Sequence, residues 1–355
     1  MEKFGKAQPV KRFEDRRFIT GAGRYIDDIA PKDALFAVFV RSQLAHGALA
    51  PVDLGDVREM PGVRLALASE DLEQLGVRNS MKATVVRNHD GTRGARPIRP
   101  LLAKGRVRFV GEPIALIVAD SLAEAKDAAE AVFADIEDLP VKADMTPGGE
   151  TLHDEAPENV AFDWGKGDED AVGAIIDGAA HVVRTRVVDN RIIVNSMEPR
   201  GCLADWDGDR LHFAFGGQGV WGTRDELAKT LGLDKGAVHV TNPDVGGGFG
   251  MKGMDYPEYF SVAAAARALG RPVRWISERT EAMLTDNGGR DLVSDTTLAF
   301  DADHRLLAYH VDTICNLGSY NSGYAQPIQT DLFVKVATGV YDVRDVALRC
   351  QGIYT

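Results

Sequence analysis

The sequence predicts an α+β fold. Strand-like apolar runs are mixed with helix-like ones without strict alternation. Two Ser/Thr-x-x-Glu helix starts occur, and an Asp-Gly pair stands inside a region dense in short strands. The chain has 355 residues, a length that suits two or three domains.

Taken in order, Leu35 to Val40 and Val63 to Ala68 are continuous apolar runs that predict buried strands. Ser69 opens a short helix, Glu70 to Leu75, which Gly76 closes. Met81 to Pro100 is polar and rich in Arg, Asn, Gly and Pro, which predicts a long loop. Val107 to Val110 and Ile114 to Ala119 predict two strands broken at Gly111-Glu112-Pro113. Ser121-Leu-Ala-Glu124 is a capping box that opens a helix reaching about Phe133. Pro147 to Gly167 predicts a loop and the domain boundary, giving domains 1–150 and 151–355.

Beyond the boundary, strands are expected at His181 to Val188, Arg191 to Ser196, Cys202 to Trp206 and Arg210 to Phe215, the last two joined at Asp207-Gly208. Thr223-Arg-Asp-Glu226 predicts a second capped helix stopping at Gly232. Val238 to Thr241 is a strand. Pro257 to Leu269 is an apolar helix with Pro in its first turn, preceded by an Asp255 cap. Arg271 to Ile276, Leu292 to Phe300 and Leu306 to Ile314 complete the predicted strands.

Composition excludes several functions. The chain is 45% hydrophobic and 26% charged with a net charge of -12, so its surface repels nucleic-acid phosphate. The densest basic run, Arg87 to Arg108, reads as a solvated loop. Cys202, Cys315 and Cys350 form no Cys-x-x-Cys, which excludes an iron–sulfur cluster or zinc ribbon and fits a reducing compartment. Met1 to Arg17 lacks the apolar core of a signal peptide, and no run reaches membrane-spanning length. A cytoplasmic protein with no nucleic-acid or membrane partner is expected. The eight His residues are scattered, with no H-x-x-x-H, and predict no metal site.

The densest functional signal is Pro243-Asp-Val-Gly-Gly-Gly-Phe-Gly-Met-Lys-Gly253. Glycines serve where φ is positive or where another molecule approaches the backbone, and successive N–H groups cradle anions. Gly248 to Gly253 formally matches G-x-G-x-x-G, so a NAD-dependent dehydrogenase is one reading. Against it, four residues separate the strand from the first Gly of the run, and the helix starts after the fingerprint. A phosphate P-loop is excluded because Met251 and Gly253 occupy its Gly and Ser/Thr positions. A tight turn without ligand is the plainest alternative.

The loop Gly246-Gly-Gly-Phe-Gly250 with Lys252 resembles the pterin loop of the molybdenum hydroxylases: xanthine dehydrogenase, aldehyde oxidase and aerobic carbon monoxide dehydrogenase large subunits. Arg17 to Asp28, Arg41 to His46 with Met60-Pro-Gly-Val63, Val110-Gly-Glu-Pro-Ile-Ala-Leu-Ile-Val118, Met197-Glu-Pro-Arg200, Glu281-Ala-Met-Leu284, Gly288-Gly-Arg290 and Asn316-Leu-Gly-Ser-Tyr320 resemble the family in order, covering roughly residues 12 to 355. The resemblance implies an a/b hammerhead-type domain followed by the first part of a molybdopterin-binding domain. It implies a molybdenum–molybdopterin cofactor, plain or as the cytosine dinucleotide. The cofactor would be cradled by Gly246, Gly247 and Gly248, contacted by the backbone N–H groups of Phe249 and Gly250, and given a hydrogen bond by Gln218. It implies hydroxylation of an aldehyde, N-heterocycle or CO-like substrate with water as oxygen source. Electrons would leave through an FAD-binding medium subunit and a 2Fe–2S small subunit.

Lys252-Gly253 replaces the Lys-Glu of xanthine dehydrogenases, which disfavours purines. The family's general-base Glu is expected beyond residue 355, because Pro147-Gly-Gly-Glu150 does not match its Gly-x-Gly-Glu. No catalytic residue is therefore assigned, and a further chain is expected to supply the other half. Glu198 and Arg200 read as a structural charged pair, Glu112 as a turn residue, and Lys252 as a neighbour of an acidic cofactor group or a member of a surface ion pair. A non-catalytic scaffold remains the alternative to an enzyme.

Overall fold

The computed structural model describes residue 5 and residues 9–355. Part of the Lys- and Arg-rich start, residues 1–4 and 6–8, lies outside them, so the signal-peptide reading falls partly outside the described residues. Among the described residues fifteen strands form: β1 Leu35–Arg41, β2 Gly47–Leu49, β3 Val63–Leu67, β4 Arg106–Val107, β5 Pro113–Ala119, β6 Ile136–Asp138, β7 Val160–Lys166, β8 His181–Asp189, β9 Gly201–Trp206, β10 Leu211–Phe215, β11 Val238–Thr241, β12 Val273–Ile276, β13 Leu292–Phe300, β14 Leu306–Gly318 and β15 Asp345–Tyr354. Helices and strands are mixed, as an α+β chain requires.

The largest sheet has seven strands in the order β11-β10-β9-β12-β1-β5-β3. β5 is its most apolar strand, buried along all seven residues, as a central run of Ile, Leu and Val dictates. A second sheet runs β7-β15-β14-β13-β8, and a small third runs β4-β2-β6. The main core lies under the first sheet and joins Leu35, Phe39 and Leu116 to Phe213, Tyr259 and Trp275. Helix Pro257–Leu269 is buried from Pro257 to Ala266, and its four consecutive alanines let the strands approach. Gly270, at φ 60, ends it.

Several expectations need correction. Residues 147–167 are not all loop, because Val160–Lys166 is β7, paired to β15. Its Ala161, Phe162 and Trp164 are buried, and the intervening Asp163 and Gly165 obscure the run. Arg191 to Ser196 forms no strand, only a bridge from Ile192 to Gly289, and Asn195 turns left-handed at φ 53. Thr223 does not cap a helix. It lies inside helix Trp221–Leu231 and donates to Asp255 Oδ1 at 2.8 Å, so Asp255 faces that helix while Tyr256 occupies the cap of the next. The helix after Ser121 ends at Glu130, and Phe133 is exposed. The strand expected at Val107 to Val110 shrinks to Arg106–Val107. The short helices Glu169–Gly178 and Arg279–Thr285 and strand β15 were not expected. Among the described residues no helix is long and apolar enough to cross a membrane.

Candidate functional site

The glycine loop leaves β11 at Thr241, the edge of the large sheet, and ends in a single turn, Met251–Gly253, just ahead of the buried helix. Its conformation is set by its own neighbours. Glu198 Oε2 accepts from the Gly246 N–H at 2.7 Å and from Lys252 Nζ at 2.8 Å, while the Glu198 N–H donates back to Gly246 O at 3.1 Å. One carboxylate thus ties both ends of the loop. Asp244, at the loop's start, accepts from the Arg24 N–H at 2.8 Å and pairs with Arg17.

Gln218 braces the far side. Its N–H donates to Lys252 O at 3.1 Å, and its Oε1 accepts from the Gly250 N–H at 2.8 Å. The amide orientation is the one this bond selects, and it leaves Nε2 as a free donor. A Cβ on Gly248 would lie 2.7 Å from Gln218 Cδ, and one on Gly246 would lie 2.4 Å from Glu198 Cβ. Close packing against the chain itself is therefore one reason for these glycines.

Gly247, Phe249 and Gly250 have φ of 102, 51 and 88. For Phe249 the left-handed region carries a strain of roughly 1–2 kcal/mol. Its ring is 77% exposed. Strain of this kind persists where surrounding bonds over-determine the backbone, and the two braces do that. Between the braces, the N–H groups of Gly247, Gly248 and Phe249 find no acceptor among the described residues. Three open amides beside a free amide donor suit an oxygen-rich anionic group, the chemistry of a pterin cofactor's ligands and phosphate.

Phe249, Gly250 and Gln218 face a cavity of about 940 Å³. Arg99, Arg108, Tyr320, Leu284 and the 286–291 turn form other parts of its wall. Behind that turn lies a buried charge cluster. The Arg200 side chain is fully buried, with Nε 2.5 Å from Asp286 Oδ1, one terminal nitrogen 3.0 Å from Glu258 Oε2 and the other 2.7 Å from Thr285 Oγ1. Its guanidinium stacks 3.8 Å from the Tyr256 ring centre. Arg41 pairs with Glu258 at 2.8 Å and with Glu281. Burial would raise the Glu258 carboxyl, but Arg200 and Arg41 outweigh it and hold it down at about 2.

Glu112 is buried below the cavity wall, accepting from the Arg108 N–H at 2.6 Å and from Tyr320 OH at 2.8 Å. Burial pushes its carboxyl up despite these donors. Burial likewise drives the His153 ring down to about 4, with Nε2 2.6 Å from Ser319 O.

The structure brings Gln218 and Gly246 to Gly250 into one unit, and adds Glu198 to it. Glu198 and Arg200 are not a mutual pair: each side chain turns to a different network. Lys252 is not on the surface either. Its side chain is fully buried against Glu198. The Gly250 N–H, expected to face a ligand, is already held by Gln218. Spacing alone could not find Glu198, since 48 residues separate it from Gly246. Cys315 and Cys350, distant in sequence, lie 3.8 Å apart as buried free thiols across β14 and β15. Among the described residues no cluster of His, Cys, Asp or Glu could hold a metal ion.

The dinucleotide reading loses its support. β11 and β12, which flank the fingerprint, are separated in the sheet by β10 and β9. The start of the following helix, Tyr256 and Pro257, is buried and closed to a pyrophosphate.

Comparison with known proteins places the chain in a family. A family described as the molybdopterin cofactor-binding domain matches residues 152–355, and one described as the aldehyde oxidase and xanthine dehydrogenase a/b hammerhead domain matches residues 20–140. The nicotine 6-hydroxylase large subunit of Paenarthrobacter nicotinovorans is 34% identical over 98% of this chain and 42% of its own length. The carbon monoxide dehydrogenase large chain of Hydrogenophaga pseudoflava is 30% identical over 96% of this chain and 44% of its own. Quinoline 2-oxidoreductase from Pseudomonas putida 86 superposes with a TM-score of 0.85 at 32% identity, over 98% of this chain and 44% of that one. The chain spans a little under half the length of these relatives. Its ordered motifs, its fold and these matches together show that the chain belongs to the molybdopterin-binding large-subunit family of the molybdenum hydroxylases.

Proposed function

We propose that this chain forms one wall of the molybdopterin site of a molybdenum-dependent oxidoreductase. The observation that carries this reading is the braced loop: three unpaired N–H groups, at Gly247, Gly248 and Phe249, held open beside the free Nε2 of Gln218. When bound, the cofactor supplies oxidation of a substrate carbon with oxygen drawn from water. The chain's residues bind and orient it. Gly246 to Gly248 give close backbone approach, the open amides receive oxygen acceptors, and Gln218 donates without adding charge. Glu198 and Lys252 fix the loop without touching the ligand.

In this proposal residues 1–150 buttress the cavity and residues 151–355 carry the cofactor contacts. The substrate is an aldehyde, N-heterocycle or similar electron-poor carbon, and the cofactor is taken as molybdopterin or its cytosine dinucleotide. Electrons pass to 2Fe–2S and FAD partners in the cytoplasm, and a further polypeptide segment supplies the general base and the opposite wall. The test is to express the chain with its genomic neighbours and measure molybdenum, pterin and dye reduction. Stoichiometric molybdenum is expected. Gln218→Leu should retain molybdenum yet lose at least tenfold in dye reduction, the scale of removing one donor to developing charge. A complex without molybdenum whose fluorescence responds to nicotinamide dinucleotide would overturn the proposal.

A further inference from the structure

The basic run Arg87 to Arg108 is not wholly a solvated loop. Two of its members, Arg99 and Arg108, turn into the wall of the cavity that Phe249, Gly250 and Gln218 also line. The other cations of that wall are matched. Lys142 holds Asp144 at 2.7 Å, Arg191 holds Asp291 at 2.8 Å, and Arg290 lies 3.5 Å from Asp189. Arg99 and Arg108 have no carboxylate partner among the described residues. Arg108 donates to Leu152 O at 3.1 Å and to Tyr320 OH at 3.2 Å. Among the described residues the Arg99 guanidinium has no hydrogen-bond partner, and it rests 6.0 Å from the Phe109 ring centre. Both charges act on Glu112, so the two guanidiniums share one neighbourhood. Glu112 cannot reach into the cavity to neutralise them, because it is buried and already holds the Arg108 N–H and Tyr320 OH.

Two half-buried guanidiniums in the wall of one cavity repel each other in a medium less polar than water. A planar oxyanion relieves that repulsion and meets the donor fork of Arg99. Apolar residues, Phe109, Val110, Met254 and Leu284 among them, form other stretches of the wall, and about 940 Å³ far exceeds what a bare inorganic ion fills. We infer that the cavity selects an organic carboxylate with an apolar body, its carboxylate on Arg99 and Arg108 and its body directed toward the Phe249 loop. The inference rests on the proposed function for the identity of the reacting end, and on the cavity alone for the anion.

The probes are benzoate and benzamide, equal in size and different in charge, titrated calorimetrically into the complex of the full chain with its partners. Benzoate should bind at least tenfold more tightly than benzamide. Arg99→Gln should abolish that preference, and Arg99→Lys should restore most of it. The Arg99 side chain has no hydrogen-bond or ion-pair partner among the described residues, and its backbone carbonyl keeps the Met81 N–H in any variant, so these variants should keep the parent's urea midpoint. Equal affinity for the two probes, binding of neither, or an unchanged preference in Arg99→Gln would overturn the inference. Molybdenum content, measured on the same samples, separates the two claims. Molybdenum without carboxylate preference sinks only this inference. Carboxylate preference without molybdenum sinks only the proposed function.

Discussion

At Gly246 an added methyl group would collide with a side chain whose own backbone lies 3.2 Å away, so nothing nearby can yield. At Gly250 the same methyl group would meet open space and only the strain of φ 88. Gly246→Ala should therefore cost about 1–3 kcal/mol or more through overpacking, whereas Gly250→Ala should cost only about 1–2 kcal/mol through left-handed strain. Urea midpoints of the two variants check the order, and a larger loss in Gly250→Ala would contradict the packing described here. Titratable residues make a second residue-scale prediction. His153 is held neutral, at about 4 against an ordinary value near 6.5. The unfolded chain therefore binds the proton more readily, and stability is full above pH 6.5 and declines as pH falls through 4. Glu258, held at about 2, contributes fully above its unfolded value near 4.5 and loses that contribution as pH falls through 2. Acid unfolding should show both limbs, and His153→Gln should remove the upper one in a urea titration repeated at each pH.

Among the elements, Arg200 at the start of β9 fastens helix Pro257–Leu269 to helix Arg279–Thr285 and the turn after it. Arg200→Met would leave Glu258 and Asp286 short of a buried counter-charge, a loss of about 3–5 kcal/mol. Chemical denaturation measures it, and a loss under about 1 kcal/mol would show that the cluster relaxes or hydrates instead. The same elements show what could be read beforehand. Continuous apolar runs such as β1 and β5, and the Pro-to-Gly span of the buried helix, were legible because one short-range signal fixes each. β15 and β7 were not, since Arg349, Gln351, Asp163 and Gly165 interrupt them, and β7 becomes a strand by pairing with β15, which itself lies beside β14. Thr223 matched a capping box by spacing, but its hydroxyl found Asp255 across the helix pair. Within the site, the glycine loop and Gln218 were legible as motifs. The part of Glu198 was not, since it exists only once Met197-Glu198-Pro199 folds against the loop.

Across the whole molecule the large sheet skips residues 120–200: β1, β3 and β5 come from residues 35–119, and β9 to β12 from residues 201–276. Leu35 pairs in register with Val273, and one core lies beneath both sets. Arg108 and Ser319 add hydrogen bonds across the same junction. A fragment of residues 1–150 should therefore show no cooperative unfolding transition by circular dichroism, and the full chain should unfold in one step. A sharp transition in the fragment would mean that its own strands suffice. The Leu35–Val273 pairing has a further consequence, in time. The two positions are about 240 residues apart, so a ribosome adding roughly 5–20 residues per second needs about 12–48 seconds between making one and making the other. Throughout that interval the β12-facing edge of β1 has no partner, and an open edge invites pairing with the wrong strand. The nascent chain is thus a natural client for a holding chaperone until β12 emerges.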